Sequence, residues 1–289
     1  MGDGVVNVTD IQLEKLFADP TKVIELHNLI YKETEKILDL IAEWNNQISL
    51  GASGTEFARE ILAKSEKAVV LMQKIYAYGG YFGTQAQRML WKKFLSNIAN
   101  LPLGNGNTFL LELRAYPALL VMYAGTIGAI AANNYLNLKA VMDSSVTTNG
   151  GQTMLVAAVN NSLLSVSADQ ILGSNTRYQL SNHLAENLKK SLPKMLVFDK
   201  EFDGIFDRAE AFIAIIISDF NVRNNENGWA PLGRFAGMYR GNKSQTALIK
   251  EEIETAGEEW PPLKANLFGG KKERALAAIQ NVETMSRRF

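Results

Sequence analysis

From Tyr116 to Ala132 the chain reads YPALLVMYAGTIGAIAA, a run of 17 residues without a charge. Such a segment has two homes. One is the centre of a body thick enough to surround it; the other is a bilayer, for which it lies at the lower edge of the roughly 17–25 residues a spanning helix needs. Ala124, Gly128 and Ala132 recur at a spacing of four, so one side of this helix lets another backbone come close in either setting. Arg114 precedes the run and Asn133-Asn134 follow it, and the chain as a whole has a slightly negative mean hydropathy. The expectation is a central helix buried all round, with a membrane span at Tyr116–Ala132 as the minor alternative.

A buried centre needs a surround. The chain has 289 residues, 47% of them apolar and 21% charged, which are ordinary globular values. Its length corresponds to about two average domains or one large one. Asp19-Pro20-Thr21 reads as a helix start, with Asp capping and Pro in the first turn. Val23, Leu26, Leu29, Ile30, Ile37, Leu38 and Ile41 then recur at helical spacing up to about Ile48. Further helices are expected from Thr55, interrupted at Gly79-Gly80, then over Gln85–Ile98, His183–Leu192, Asp199–Phe220, Gly241–Thr255 and Lys271–Arg287. The second half of the Asp199 helix, AFIAIIISDF, must be buried nearly all round. Asp143–Gly151 (DSSVTTNGG) reads as a loop, and Met154–Val166 fits either a helix or a strand. No sustained alternation of period two and no internal repeat is visible. The fold class is therefore all-α, an irregular array of roughly ten helices, with room for a few short strands near 144–166 and 229–240. The expected domain is single, 1–289, with a weak boundary near 143–151.

Composition removes several chemistries. Thirty basic residues balance thirty acidic ones, which argues against a broad nucleic-acid surface. Without cysteine there are no disulfides, thiolate metal sites or cysteine nucleophile, and two histidines cannot make a three-His zinc site. There is no GxxxxGK[ST] or GxGxxG phosphate loop. No cofactor and no metal are expected. The N-terminus has neither a basic region nor an apolar core for secretion, and Val6 stands where myristoylation asks for Ser or Thr, so a cytoplasmic location is expected.

Five groups of residues could carry chemistry or binding. Arg177 and His183 have the arginine–polar–histidine spacing of HEPN ribonucleases, in which Arg would hold a phosphate and His would move a proton. Tyr178, where a small polar residue is preferred, weakens that match. His27, between Leu26 and Leu29, reads as a core-edge residue. Asp199, Glu201, Asp203 and Asp207 read as acids favoured at a helix start, with metal binding as the alternative. The segment 228–243, GWAPLGRFAGMYRGNK, joins four glycines to aromatic and basic residues. It is the most binding-like stretch, with Trp229, Arg234, Phe235, Tyr239 and Arg240 as contact residues. The competing structural reading has its aromatics packed down and its arginines paired with acidic helices. Trp260-Pro261-Pro262-Leu263 reads as an aromatic-anchored turn with Leu267 and Phe268 tucked under the last helix.

Three phrases, AYPALLVMYAGTIGAI (115–130), NGWAPLGRF (227–235) and WPPLKANLFGG (260–270), in this order resemble the helical C-terminal region of bacterial anti-phage defence proteins. Those proteins carry an effector domain first, of a sirtuin-like, Toll/interleukin-receptor-like or nuclease kind. The resemblance covers about residues 10–285. It implies a non-enzymatic sensing or protein-interaction module that meets a partner protein or oligomerises with like chains, and a sequence that is either the back part of a larger effector or a stand-alone relative. It carries over no catalytic residue. Two other readings stand beside it: the Arg177/His183 ribonuclease, and a small-molecule receptor with an apolar pocket beside Tyr116–Ala132.

Overall fold

A computed structural model describes residues 8–100, 104–148, 151–164, 171–172, 177–196, 199–224, 226–237 and 244–288. Helices α1 (Asp10–Ala18), α2 (Val23–Ser49), α3 (Thr55–Ala68), α4 (Val70–Phe82), α5 (Gln85–Ala99), α6 (Thr108–Leu113), α7 (Tyr116–Ala131) and α8 (Tyr135–Met142) come first. Strands β1 (Ser145–Thr148) and β2 (Gly151–Met154) follow, then α9 (Leu155–Leu164), α10 (Gln179–Ser191), α11 (Asp199–Arg223), α12 (Gln245–Ala256), the short α13 (Pro261–Lys264) and α14 (Lys272–Ser286). The fold is an all-α multi-helix array with one small two-stranded sheet.

The uncharged run forms α7, and every residue from Tyr116 to Ile130 is buried. The span Thr108–Ala131 is long and apolar enough to cross a membrane by length and composition, and its apolar window is wholly buried inside the protein. Its main neighbour is α4. Gly79-Gly80, expected to interrupt a helix, instead lie inside α4. A β-carbon on Gly80 would overlap the carbonyl oxygen of Gly125, and one on Gly128 would overlap the carbonyl oxygen of Ala77. The glycines thus serve backbone contact between two helices, a gain that outweighs glycine's weak helix preference of about 1 kcal/mol. The break falls earlier, at Val69, between α3 and α4.

Asn137 closes the end of α4. Its Nδ2 donates to the carbonyls of Gly79, Gly80 and Gly83 at 3.0, 3.0 and 2.9 Å, and Arg88 Nε donates to its Oδ1 at 2.8 Å. The last carbonyls of a helix need such partners when they are buried.

The stretch read as a loop, Asp143–Gly151, contributes the first strand and the start of the second in an antiparallel hairpin, with Val146 opposite Thr153. Thr147 N–H donates to Asn100 Oδ1 at 2.7 Å, which ties the hairpin to the end of α5. Both strands fall within the 144–166 stretch where short strands are expected, although their polar threonines offer no apolar run to place them. No strand forms over 229–237; that stretch is irregular apart from a 3-10 turn at Arg234–Ala236.

The Trp260 turn is an anchor, as its residues suggest. Trp260 stacks on Phe212 of α11 (6.0 Å, 13°) and on Phe268 (6.2 Å, 15°), and its indole N–H donates to Glu252 Oε2 at 3.2 Å. Phe268 sits in the left-handed region at φ 56°, which costs a non-glycine residue about 1–2 kcal/mol. The aromatic ladder holds it there.

Candidate functional site

The segment 228–237 folds back along α11 as a strap. Its first anchor is polar. Ser218 Oγ donates to the Gly228 carbonyl at 3.0 Å, and Asn221 Nδ2 donates to the Trp229 carbonyl at 2.8 Å. Gly228 has φ +68°, so the chain can reverse there without strain. Six residues, which reach about 20 Å at most when extended, then carry the strap past Pro231. That is enough to cover the roughly 16 Å that eleven helical residues span between Ser218 and Asp207.

The second anchor is Arg234. Its backbone N–H donates to Ser181 Oγ of α10 at 2.9 Å, its Nε to Asp207 Oδ1 at 2.7 Å, and its Nη2 to Asp203 Oδ1 at 2.8 Å. The guanidinium also lies 4.8 Å from the centre of the Phe206 ring. Asp203, Phe206, Asp207 and Glu210 share one face of α11 because they stand three and four residues apart. Asp203 and Asp207, weighed as possible metal ligands, are clamps for Arg234. The side chains of Asp199 and Glu201 lie outside the described residues. Among the described residues no three His, Asp or Glu gather as a metal site.

Glu210 is the chemical centre of this junction. Ser181 Oγ donates to its Oε2 at 2.7 Å, and Tyr123 Oη, from the buried helix α7, lies 3.4 Å from its Oε1. Gly233 passes so close that a β-carbon there would overlap the carboxylate. Burial pushes the Glu210 carboxyl up to about 7, with the neighbouring Asp207 adding to the rise, while Ser181, Arg234 and Tyr123 pull the other way. Burial likewise raises Asp207, against the pull of Arg234.

The residues expected on an open contact surface are thus placed unevenly. Phe235 is buried and Arg234 is committed to two helices, while Trp229 is half-buried. Tyr239 and Arg240 lie outside the described residues, as does Lys243. Beside the strap's end, the Tyr178 ring would be 2.6 Å from a β-carbon on Gly237. Tyr178 Oη and Gln179 Oε1 are buried and lack a hydrogen-bond partner among the described residues.

Arg177 and His183 meet different partners. Arg177 is exposed, with its guanidinium 5.1 Å from the centre of the Tyr178 ring. His183 Nε2 lies 2.5 Å from Glu66 Oε1 of α3, and Tyr116 Oη donates to the same oxygen at 2.9 Å. Burial alone would raise the Glu66 carboxyl, but His183, Tyr116 and Asn187 more than reverse that and hold it below its ordinary value. His27 packs edge-on against Phe94 at 5.2 Å, a core-edge position.

Glu66, Ser181 and Glu210 escaped the sequence reading. Glu210 alone left a signal, a carboxylate inside an apolar helical run. Ser181 and Glu66 are ordinary residues on amphipathic helices, and only tertiary packing selects them. Comparison with protein-family models, curated proteins and solved structures finds no match to this chain.

Proposed function

We propose that the chain is a non-enzymatic sensing and protein-interaction module of a bacterial anti-phage system, acting in the cytoplasm, with the strap as its contact element. The observation that carries this reading is the strap's mode of attachment. Arg234 fastens one end to two helices through a largely buried polar network, while Trp229 at the other end is only partly buried. Ala230, Phe235 and Ala236 of the strap are buried as well, so the polar link of Arg234 to Asp207 is the part of the attachment that a change at a carboxylate would loosen. The buried Tyr178 hydroxyl, whose ring lies beside the strap's end at Gly237, has no partner among the described residues and adds hydrogen-bonding capacity that an incoming group would satisfy. The resemblance of three phrases to defence proteins supports the same reading. Those phrases supply α7, the strap and the Trp260 anchor, and all three pack on α11. Tyr239 and Arg240 belong to the proposed contact by sequence. The partner is a protein or a second copy of the chain. The test is the efficiency of phage plating on cells carrying this gene with its neighbours. Protection that Trp229→Ala abolishes at unchanged protein level supports the proposal; equal plating with and without the gene overturns it.

One observation favours a second reading. A carboxylate 2.5 Å from His183 Nε2 is the arrangement that orients an imidazole as a general base. An RNA-cleavage assay separates the readings: activity lost in His183→Ala supports the ribonuclease, and equal activity, or none in either protein, removes it.

A further inference from the structure

Away from the strap, five elements meet around a cavity of about 220 Å³. They are the end of α8, strand β2, the end of α11, the turn at 266–269 and the start of α14. Its charged lining is Lys139, Arg223 and Arg274 against Asp143 and Asp219, an excess of one positive charge. The pairing inside it is uneven. Arg274 takes Asp219 with both Nε (2.9 Å) and Nη2 (2.5 Å). Arg223 reaches the same carboxylate only through Nε, at 3.3 Å, and its side chain is 47% exposed. Two guanidinium groups therefore share one nearly buried carboxylate, and their mutual repulsion is relieved by any further anion. Lys139 has its own partner in Asp143.

The wall of the cavity is shaped around Arg274. Gly269 has φ +64°, and a β-carbon there would overlap Arg274 Nη1. The corner of the guanidinium that Asp219 does not take is thus bordered by bare backbone. Arginine presents a planar fork that fits two oxygens of a phosphate or carboxylate. The volume is below the roughly 300–1,000 Å³ of drug-sized pockets, which limits the occupant to a compact molecule.

We propose that this cavity binds a small oxyanion-bearing molecule, an organic phosphate or carboxylate, gripped by Arg223 and Arg274 with Lys139 supplying further charge. The site is separate from the strap and does not depend on the interaction reading.

The test uses the full chain labelled with 15N-glycine and 13C-carbonyl phenylalanine. This selects the amides of Gly269 and Gly83, the two glycines that follow a phenylalanine. Inorganic phosphate and citrate are titrated separately, with sodium chloride at matched ionic strength as reference. The expected result is a saturable shift of the Gly269 signal with at least one oxyanion, with Gly83 unmoved. Phosphate alone indicates a phosphate ligand, and citrate alone a carboxylate. Affinity falls at least tenfold in Arg223→Gln and in Lys139→Met, at an unchanged thermal midpoint. The proposal is overturned by shifts no larger than those in chloride, or by binding that both variants leave intact.

Discussion

Gly128 of α7 and Ala77 of α4 meet backbone to backbone, so closely that a β-carbon on Gly128 would overlap the carbonyl oxygen of Ala77. Neither side of that contact is a flexible side chain, so nothing there can swing aside. Gly128→Ala is expected to cost about 3 kcal/mol of unfolding free energy, the upper range for overpacking. Gly204 of α11 supplies the opposite sign: it has open space around its α-carbon, and Gly204→Ala is expected to stabilise by about 0.5–1 kcal/mol. Urea unfolding of both variants checks the pair, and equal effects would contradict the packing argument.

Asn137 satisfies three carbonyls at the end of α4 and is itself fully buried. Asn137→Ala takes this donor from the Gly80 and Gly83 carbonyls and the acceptor from Arg88, while Gly79 keeps the Gly83 N–H, at a cost of about 2–3 kcal/mol. Asn137→Asp is expected to be worse, since it removes the donors and turns a negative group toward the same oxygens. A chemical-denaturation midpoint no lower in Asn137→Asp than in Asn137→Ala would remove the donor role.

Glu210 and Glu66 give opposite pH dependences. Glu210, raised to about 7 in the folded protein, binds its proton more tightly folded than unfolded. Its contribution is fully present below about pH 4.5 and is lost as pH rises through about 7. The groups facing it are Ser181, Tyr123, Asp207 and Arg234. At about 1.4 kcal/mol per unit, the loss is on the order of 3 kcal/mol. Glu210→Gln removes this slope, so the stability difference between wild type and variant should move against wild type between pH 5 and 8. Glu66 is held below its ordinary value, so its contribution is present above about pH 4.5 and is lost as pH falls below that. Glu66→Gln should therefore differ most from wild type near neutrality. Guanidinium titrations at several pH values measure both, and parallel curves for wild type and Glu210→Gln would contradict the assignment.

Much of the fold was legible because its strongest signals are local. The uncharged run became the buried α7, the 3.6-residue spacing from Val23 marked α2, and Trp260-Pro261-Pro262 marked an anchoring turn. What was not legible depends on distant partners. Gly79-Gly80 look like a helix break until α7 lies against them, and Ser145–Thr148 look like a loop until Asn100 and β2 pair with them. At the candidate site, the sequence pointed to Arg234 and Phe235 as a contact surface. Phe235 is buried, and Arg234 turns inward because α11 offers Asp203, Asp207 and the Phe206 face at helical spacing, a match visible only once the strap is seen to run back along α11. Arg177 and His183 are neighbours in spacing, yet Tyr178 takes the one and Glu66 the other.

Tagged capture from phage-infected and uninfected cells, comparing wild type with Trp229→Ala at matched thermal midpoints, shows whether the strap is a contact element. The expected result is a protein, or a second copy of the chain, retained by wild type only after infection and reduced at least tenfold with Trp229→Ala. Retention that is the same in both cell states, or that Trp229→Ala leaves unchanged, would contradict it.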